Sequence, residues 1–403
     1  MKNRFLSLAT AALCLLVPAC APSAQNDHTA SSAHDPVHLV VFEADSLYTA
    51  WPAAARTVEG DILVLYTETD EHMGPDGRIV GVRSSDEGMT WSDPFLVYDT
   101  PLDERESGIT VLGDGRLVVH LWSTRHTEES YGGMSPGSYY DHTVAAWVEE
   151  VNSASYAQAE ALEGARAIMS SDGGRTWSEP VDGPDTIHGG IQLHDGSILV
   201  SSYRLSRDYV TVHKAESWEG PYRQIATVGA NDSSVQTRPD SLRFGEPSIL
   251  QLPSGRVIMM MRVTPKPYSD SDRRSVLWES YSDDNGETWV DPFPTPLWGF
   301  PPHLMLHSDG RVVVVYGRRI PPFGQRAAVS SDGITWREED EIVLRNDAPN
   351  KDLGYPASVE LEDGRVLTVY YQSHPSDTLR PPEGPPPDRH KPDIMGTVWR
   401  MPD

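Results

Sequence analysis

Charged and aromatic residues stand at the ends of short apolar runs along this chain. The residues that begin or end such runs are Trp51, Arg105, His188, Glu246, His303 and Tyr355, and Glu68, Asp70, His72, Trp122, Arg204, Arg262, Arg318, Arg319 and Tyr371. If the fold collects them on one surface, the arginines would bind an anionic ligand, and the histidines could transfer protons. The alternative is that exposed strand ends simply carry long polar side chains. The elements that position these residues decide between the two.

Two short phrases repeat along the chain and indicate what those elements are. Ser-x-Asp-x-Gly-x-Thr-Trp occupies residues 84–91, 170–177 and 282–289, and a version one residue shorter occupies 330–336. A second phrase, an Asp-Gly type turn followed by a β-branched run, occurs six times, with its glycines at Gly60, Gly115, Gly196, Gly255, Gly310 and Gly364. Six copies predict six structural units.

Each unit has the pattern of four short strands joined by tight turns. Four-stranded units repeated around a ring make a β-propeller, which hides most sheet edges. The last unit is one strand short, while the apolar segment 37–43 precedes the first unit and belongs to none of the other units. We therefore predict an all-β, six-bladed propeller of antiparallel blades, closed by the N-terminal strand.

Propeller geometry also predicts where the polar residues lie. Residues that begin an inner strand and residues that end the second strand share one face, opposite the Asp-Gly turns. In the Ser-x-Asp-x-Gly-x-Thr-Trp phrase, the Asp and the Ser or Thr side chains can hydrogen-bond local backbone groups. The Gly takes the strained backbone dihedral, and the Trp packs between blades. The aspartates of this phrase are interpreted as scaffold residues: Asp86, Asp172, Asp284 and Asp332.

Composition excludes some functions. The 403 residues include 33 basic and 59 acidic ones, a net charge of -26, which repels nucleic acid and anionic membrane surfaces. No zinc-type His/Cys spacing, phosphate-binding loop or serine-triad motif occurs in the sequence. We expect no nucleic-acid partner, no cofactor and no metal.

The N-terminus has the pattern of an export signal. Lys2 and Arg4 precede an apolar run that ends near Val17, and the segment 17–20 resembles a bacterial lipoprotein box in which Cys20 would carry lipid. Residues 1–20 are predicted to be a signal peptide, 21–36 a tether and 37–403 the propeller. The protein is then exported, as a cell-surface or outer-membrane lipoprotein or as a periplasmic or secreted protein, and it touches a membrane only through the anchor. We expect a monomer.

The repeated Ser-Asp-Gly-Thr-Trp phrase resembles the Asp box of sialidases, and residues 37–403 resemble a six-bladed sialidase propeller. The resemblance implies an exo-acting hydrolase of a terminal acidic sugar. It implies Tyr355 as nucleophile, Glu246 as its base, and Arg262 with Arg318 as carboxylate-binding residues, with Arg319 and Arg326 as alternatives to Arg318. A phenol with an ordinary pKa near 10 needs such a carboxylate base.

One departure from the family concerns the first blade. Relatives carry an arginine where this chain has Ala50, and Arg105 of the next blade could replace it. For the general acid, Asp70, His72 and Asp76 remain alternatives. His72 and His188 also leave open a hydrolase or lyase that acts on uronate-containing polysaccharide. A third alternative is a non-catalytic glycan-binding propeller.

A long insertion after the second strand of blade 2, residues 123–163, is predicted on the same face. Asp141 could cap a helix within it. Tyr139, Tyr140 and Trp147 could stack on sugars, or the segment could be surface decoration.

Overall fold

Six four-stranded antiparallel sheets make up the described part of the chain in a computed structural model. The structure describes residues 36–44, 46–72, 74–126, 153–203, 208–229, 242–265, 274–374 and 391–402. The predicted signal peptide, Cys20, nearly all of the tether, Arg204, Asp141, Tyr139, Tyr140 and Trp147 lie outside these residues.

The strands follow one another blade by blade. The first strand is β1 (Val37–Phe42). Blade 1 contains β2 (Tyr48–Arg56), β3 (Ile62–Thr69), β4 (Arg78–Ser84) and β5 (Phe95–Tyr98), and blade 2 contains β6 (Asp103–Val111), β7 (Leu117–Thr124), β8 (Gly164–Ser170) and β9 (Val181–Asp182). Blade 3 contains β10 (Ile191–Gln192), β11 (Ile198–Ser202), β12 (Val210–Ala215) and β13 (Arg223–Val228), and blade 4 contains β14 (Leu242–Gln251), β15 (Val257–Pro265), β16 (Val276–Ser282) and β17 (Phe293–Trp298). Blade 5 contains β18 (Pro302–Leu306), β19 (Val312–Arg318), β20 (Gly324–Ser330) and β21 (Ile342–Arg345), and blade 6 contains β22 (Leu353–Glu360), β23 (Val366–Gln372) and β24 (Asp393–Trp399).

The N-terminal strand closes the ring. Strand β1 pairs antiparallel with β24, with Val37 opposite Val398, and becomes the outermost strand of blade 6. The first and last segments of the propeller therefore share one sheet, which leaves no gap between the ends of the chain. The predicted six-bladed, all-β fold and its closure by the N-terminal strand are confirmed.

The hydrophobic core is divided among the interfaces between neighbouring blades. Buried side chains of β3 and β7, for example Leu63, Leu65 and Leu121, join blades 1 and 2. Corresponding clusters join blades 2 and 3, 3 and 4, 4 and 5, 5 and 6, and 6 and 1. Each blade is thus apolar on both faces, which explains the continuous Val/Ile/Leu runs of the middle strands.

The aspartates of the repeated turns hold their own turns. Asp284 accepts hydrogen bonds from the Thr288 amide (2.8 Å) and hydroxyl (2.6 Å) and from the Ser282 hydroxyl (2.7 Å). Asp86, Asp172 and Asp332 accept the same bonds in the other copies. The Trp336 indole reaches the preceding blade and donates to Glu279 at 2.8 Å. These contacts agree with a scaffold role.

The described part of the insertion after β7 comprises its start, residues 123–126, and its end, residues 153–163. It contains helix α1 (Ala154–Gln158) and a 3-10 turn (Ala159–Leu162), and a second 3-10 turn lies at Glu338–Asp340. No helix in the described segments is both long and apolar enough to cross a bilayer.

Candidate active site

Four inner strands carry a bulge at the same point, and each bulge presents one large side chain. The register shifts lie between Ala50 and Ala53, Arg105 and Gly108, Gly245 and Ser248, and Gly354 and Ala357. The first residue of each bulge has a positive φ: Trp51 (54°), Glu106 (51°), Glu246 (44°) and Tyr355 (48°). Side chains other than glycine rarely adopt this conformation, and such strain concentrates at functional sites. The bulges redirect these four side chains toward one site.

Tyr355 and Glu246 form the centre of this site. The Tyr355 hydroxyl donates to Glu246 Oε1 at 2.8 Å, and Arg262 Nη1 donates to both oxygens of Glu246 at 2.8 and 2.9 Å. Tyr355 is 6% exposed and Glu246 8%. The structure brings together these three residues, which were all selected from the sequence.

Burial and charge set the protonation of the pair. Burial raises the pKa of the Tyr355 phenol well above its ordinary value, and the negative charge of Glu246 raises it further. Burial alone would also raise the pKa of Glu246, but the charge and hydrogen bond of Arg262 outweigh it and hold the pKa below its ordinary value. The resting site therefore holds a protonated phenol against an ionised carboxylate, the state in which Glu246 can accept the phenol proton.

Arg319, and not Arg318, is the blade 5 arginine at this site. Its Nε donates to the Leu353 carbonyl at 2.9 Å and its Nη2 to the Tyr371 hydroxyl at 3.2 Å. Its guanidinium lies 5.8 Å from the Tyr355 ring centroid and 5.3 Å from that of Phe300. The sequence preferred Arg318 and kept Arg319 as an alternative; the structure places Arg319 beside Tyr355, and a substrate-binding role for either arginine stays a prediction.

The other two blade 5 arginines lie elsewhere. Arg318 acts electrostatically on Arg326 and Tyr316. Arg326 is 3% exposed and pairs with Glu341 at 3.2 Å. Neither takes part in the hydrogen bonds of Tyr355 and Glu246.

Trp51 occupies the blade 1 bulge beside Ala50. Ala50 is fully buried and Trp51 is 2% exposed. The Arg105 guanidinium covers the Trp51 ring at 4.2 Å, donates to Asp103 at 3.1 Å and to the His72 carbonyl at 2.8 Å. Arg105 thus reaches blade 1, as expected for a replacement of the missing arginine, although these bonds already engage its guanidinium. A role in substrate binding stays a prediction.

His72 joins the site through a different network. Its Nδ1 lies 2.6 Å from the Tyr48 hydroxyl and 3.6 Å from Asp352 Oδ1. Tyr48 donates to Asp352 at 2.9 Å, and the His72 ring packs edge-on against Trp51 with centroids 5.3 Å apart. Asp70 and Asp76 are exposed side chains on the same loop. His72 packs against the aromatic residues Tyr48 and Trp51 of the site.

Sequence reasoning missed Glu106 as a site residue. Its position in the blade 2 bulge matches those of Trp51, Glu246 and Tyr355, and it accepts a hydrogen bond from the Tyr203 hydroxyl at 3.1 Å. Its charge also raises the pKa of Tyr355. The sequence marks the bulges of blades 1, 4 and 6 by a proline directly after the bulged residue. In blade 2 a serine follows Glu106 instead, so this mark is missing there.

His188 and His303 form a separate pair. Their rings meet edge-on with centroids 5.1 Å apart, and the hydrogen bonds among Tyr355, Glu246 and Arg262 include neither. Burial lowers the pKa of His303 to about 4. Burial, with the charge of His303, also lowers that of His188 well below its ordinary value. At neutral pH His188 is therefore uncharged and has no imidazolium proton to donate. No group of three or more His, Cys, Asp or Glu side chains within the described segments could hold a metal ion.

A six-bladed propeller with Asp boxes and a Tyr–Glu–Arg cluster has the architecture of the sialidase superfamily. The chain belongs to the BNR repeat-like domain family, which residues 134–368 match. It is also 22% identical over 318 residues to a sialidase of Clostridium perfringens. That match covers 75% of this chain but only 65% of the Clostridium protein.

Solved structures share the fold. A Dyadobacter fermentans protein of unknown function has a TM-score of 0.67 at 21% identity, covering 91% of this chain and 98% of that one. A Hadza microbial sialidase has a TM-score of 0.59 at 15% identity, covering 91% and 68%. The intramolecular trans-sialidase of Ruminococcus gnavus has a TM-score of 0.52 at 12% identity, covering 90% and 96%. Together these similarities support a glycoside hydrolase fold of the sialidase superfamily.

Proposed function

We propose that this protein is an exo-acting glycosidase that releases a terminal sialic acid, or a related acidic sugar, from glycans. The observation that carries the proposal is the 2.8 Å hydrogen bond from the Tyr355 hydroxyl to Glu246, a buried carboxylate that Arg262 keeps ionised. The similarity to the Clostridium perfringens sialidase supports the same activity.

The chemistry of the centre follows from its protonation. Tyr355 is a poor nucleophile while it holds its proton, so Glu246 removes that proton as the phenolic oxygen attacks the anomeric carbon. Glycosidases with a tyrosine nucleophile are an established exception to the two-carboxylate scheme. A neutral phenol also avoids the repulsion that a carboxylate nucleophile would feel from an acidic sugar.

The charge of Arg319 favours an anionic substrate. Its hydrogen bonds go to a carbonyl and a phenol, and within the described residues it forms no ion pair with a carboxylate. A partly buried cation without an ion-paired carboxylate is stabilised when an anion joins it. Arg319 and Arg262 therefore form the part of the site that would hold the sugar carboxylate.

The test is hydrolysis of 4-methylumbelliferyl α-sialoside by the purified propeller and by Tyr355→Phe. We expect turnover by the wild type and its loss in the variant. Tyr370→Phe is the matched control because its hydroxyl bonds Thr397 at 2.7 Å, outside the site, and it should stay active. Full activity of Tyr355→Phe would disprove the tyrosine mechanism.

A second candidate is a hydrolase or lyase for uronate-containing polysaccharide. The exposed His72 and the alanine at position 50 favour it, because His72 could transfer protons while the site lacks one family arginine. Uronate polymers would then be cleaved, and a lyase would leave an unsaturated, ultraviolet-absorbing product. Binding of glycans without any turnover would instead indicate a non-catalytic binding propeller.

We also propose export and lipid anchoring through Cys20, on the sequence pattern of residues 1–20. The anchored protein would present a monomeric propeller to glycans. Membrane fractionation of the full chain and of Cys20→Ser tests this: the wild type should sediment with membranes and the variant should not. Equal distribution of the two would reject the anchor.

A further inference from the structure

Three side chains from distant parts of the chain form a hydrogen-bonded unit beside the Tyr355 centre. Tyr48 begins β2, His72 lies in the loop after β3, and Asp352 directly precedes β22. The closure of the propeller ring brings Asp352 of blade 6 next to the two blade 1 residues.

The hydrogen-bond directions assign the protons in this unit. The Asp352 carboxyl is ionised: burial would raise its pKa, but the hydrogen bonds and charges of His72, Tyr48 and Arg319 hold it below the ordinary value. An ionised carboxylate only accepts, so Tyr48 uses its single hydroxyl proton on Asp352. The short Tyr48–His72 contact then requires His72 Nδ1 to carry a hydrogen and donate it to the Tyr48 oxygen. Nε2, the other ring nitrogen, is then the atom that faces away from this hydrogen bond.

The ring of His72 is open to a substrate, since 38% of its side chain is exposed. It makes a T-shaped contact with Trp51, with ring centroids 5.3 Å apart, and Trp51 packs in turn on Tyr355, with ring centroids 6.4 Å apart. Arg105 fixes the loop by donating to the His72 carbonyl. His72 is therefore positioned at the rim of the site, with the Trp51 ring between it and the nucleophile.

Neither aspartate of the same loop is held in this way. The Asp70 carbonyl accepts a hydrogen bond from Lys391, and its side chain is exposed. The side chain of Asp76 is also exposed, and the charges that act on its carboxyl are those of Asp99, Asp70, Arg78 and Asp103.

We infer that His72, rather than Asp70, is the general acid and base of the reaction, with Tyr48 and Asp352 as its positioning residues. The inference rests on the proposed glycosidase function. In the first step Tyr355 forms a bond to the anomeric carbon, Glu246 takes the phenol proton, and the bond to the leaving oxygen breaks as His72 Nε2 protonates it. In the second step His72 Nε2 takes a proton from water, the hydroxide oxygen bonds to the anomeric carbon, and Glu246 returns its proton to the departing Tyr355 oxygen.

The experiment compares two leaving groups in the full protein. Sialyllactose has a poor leaving group that requires an acid, whereas 4-methylumbelliferyl α-sialoside has a good one that does not. For His72→Gln we expect a loss of about 100- to 10,000-fold on sialyllactose. On the aryl substrate the variant should release a burst of 4-methylumbelliferone and then turn over slowly, because the second step lacks its base. Added azide, which needs no base, should restore that turnover.

Asp70→Asn is the matched control and should behave as the wild type on both substrates. Equal losses on both substrates for His72→Gln, without a burst or azide rescue, would overturn the inference while leaving the function intact. A burst in Asp70→Asn would assign the role to Asp70. If the wild type cleaves neither substrate, or Tyr355→Phe cleaves both, the proposed function itself fails and this inference falls with it.

Discussion

The hydroxyl of Tyr355 donates to the carboxylate of Glu246 across 2.8 Å, although 109 positions separate the two residues in the chain. Each residue lies in a bulge of its own inner strand with a positive φ. The contact therefore depends on two strained backbone segments in blades 4 and 6. Such strain persists only when the surrounding structure enforces it.

Replacement of the base tests this relationship. Glu246→Gln keeps the size of the side chain but cannot accept the Tyr355 proton, so kcat on the aryl sialoside should fall by about 100- to 10,000-fold. The buried Arg262 also loses its charge partner, which should lower the free energy of unfolding by about 3 to 5 kcal/mol. Steady-state kinetics and thermal unfolding measure the two effects. Unchanged kcat would remove Glu246 from the mechanism.

The two adjacent arginines of blade 5 should behave differently. Arg319→Gln removes the cation beside Tyr355 and should raise KM about 10- to 100-fold, the effect of losing one charge-assisted contact worth about 1.5 to 3 kcal/mol. Arg318→Gln is the matched control and should leave KM near the wild-type value. A larger effect at Arg318 than at Arg319 would contradict the placement described above.

Restoring the family arginine at position 50 should not restore a carboxylate contact. Ala50 is fully buried beside Trp51, so Ala50→Arg places an unpaired cation in a packed core. We expect a loss of about 3 to 5 kcal/mol of stability, similar to leaving a charge buried without its partner, and no decrease in KM. Ala50→Ser is the control for a substitution at this position that adds no charge. A stable Ala50→Arg with lower KM would show that room for the arginine exists.

Glu279 predicts a pH dependence of stability. Burial raises the pKa of this carboxyl from 4.5 to about 8 in the fold, although the Trp336 indole opposes the shift. Between these values the folded state binds one proton more than the unfolded state, so stability falls as pH rises, by up to about 1.4 kcal/mol per pH unit. The stabilising contribution is complete below pH 4.5 and is lost as pH rises through about 8.

Glu279→Gln should flatten that decline, because the amide stays neutral and can still accept from Trp336. Denaturant unfolding from pH 5 to 8 measures the slope. Glu338→Gln, at an exposed glutamate, should retain the wild-type slope. Identical slopes for Glu279→Gln and the wild type would mean that Glu279 does not titrate differently in the two states.

Part of the site could be read from the sequence because strand ends share a face in a propeller. That rule, with the sialidase resemblance, selected Tyr355, Glu246 and Arg262, which the structure joins. It did not separate Arg318 from Arg319, because β19 ends at Arg318 and adjacent side chains of a strand point to opposite sides, so a shift of one residue changes the environment. It also passed over Glu106, since a bulge adds a residue that a regular strand pattern does not show.

The sequence by itself determined the propeller, its six blades and the strand that closes it. Repeated turns and apolar runs are local signals, and six copies of them admit few arrangements. Only the tertiary structure decided which polar residues meet. The contact of His72 with Asp352 requires blade 6 to close against blade 1, and the Tyr355–Glu246 bond requires two bulges to aim their side chains inward. Both depend on distances across the ring that no local pattern encodes.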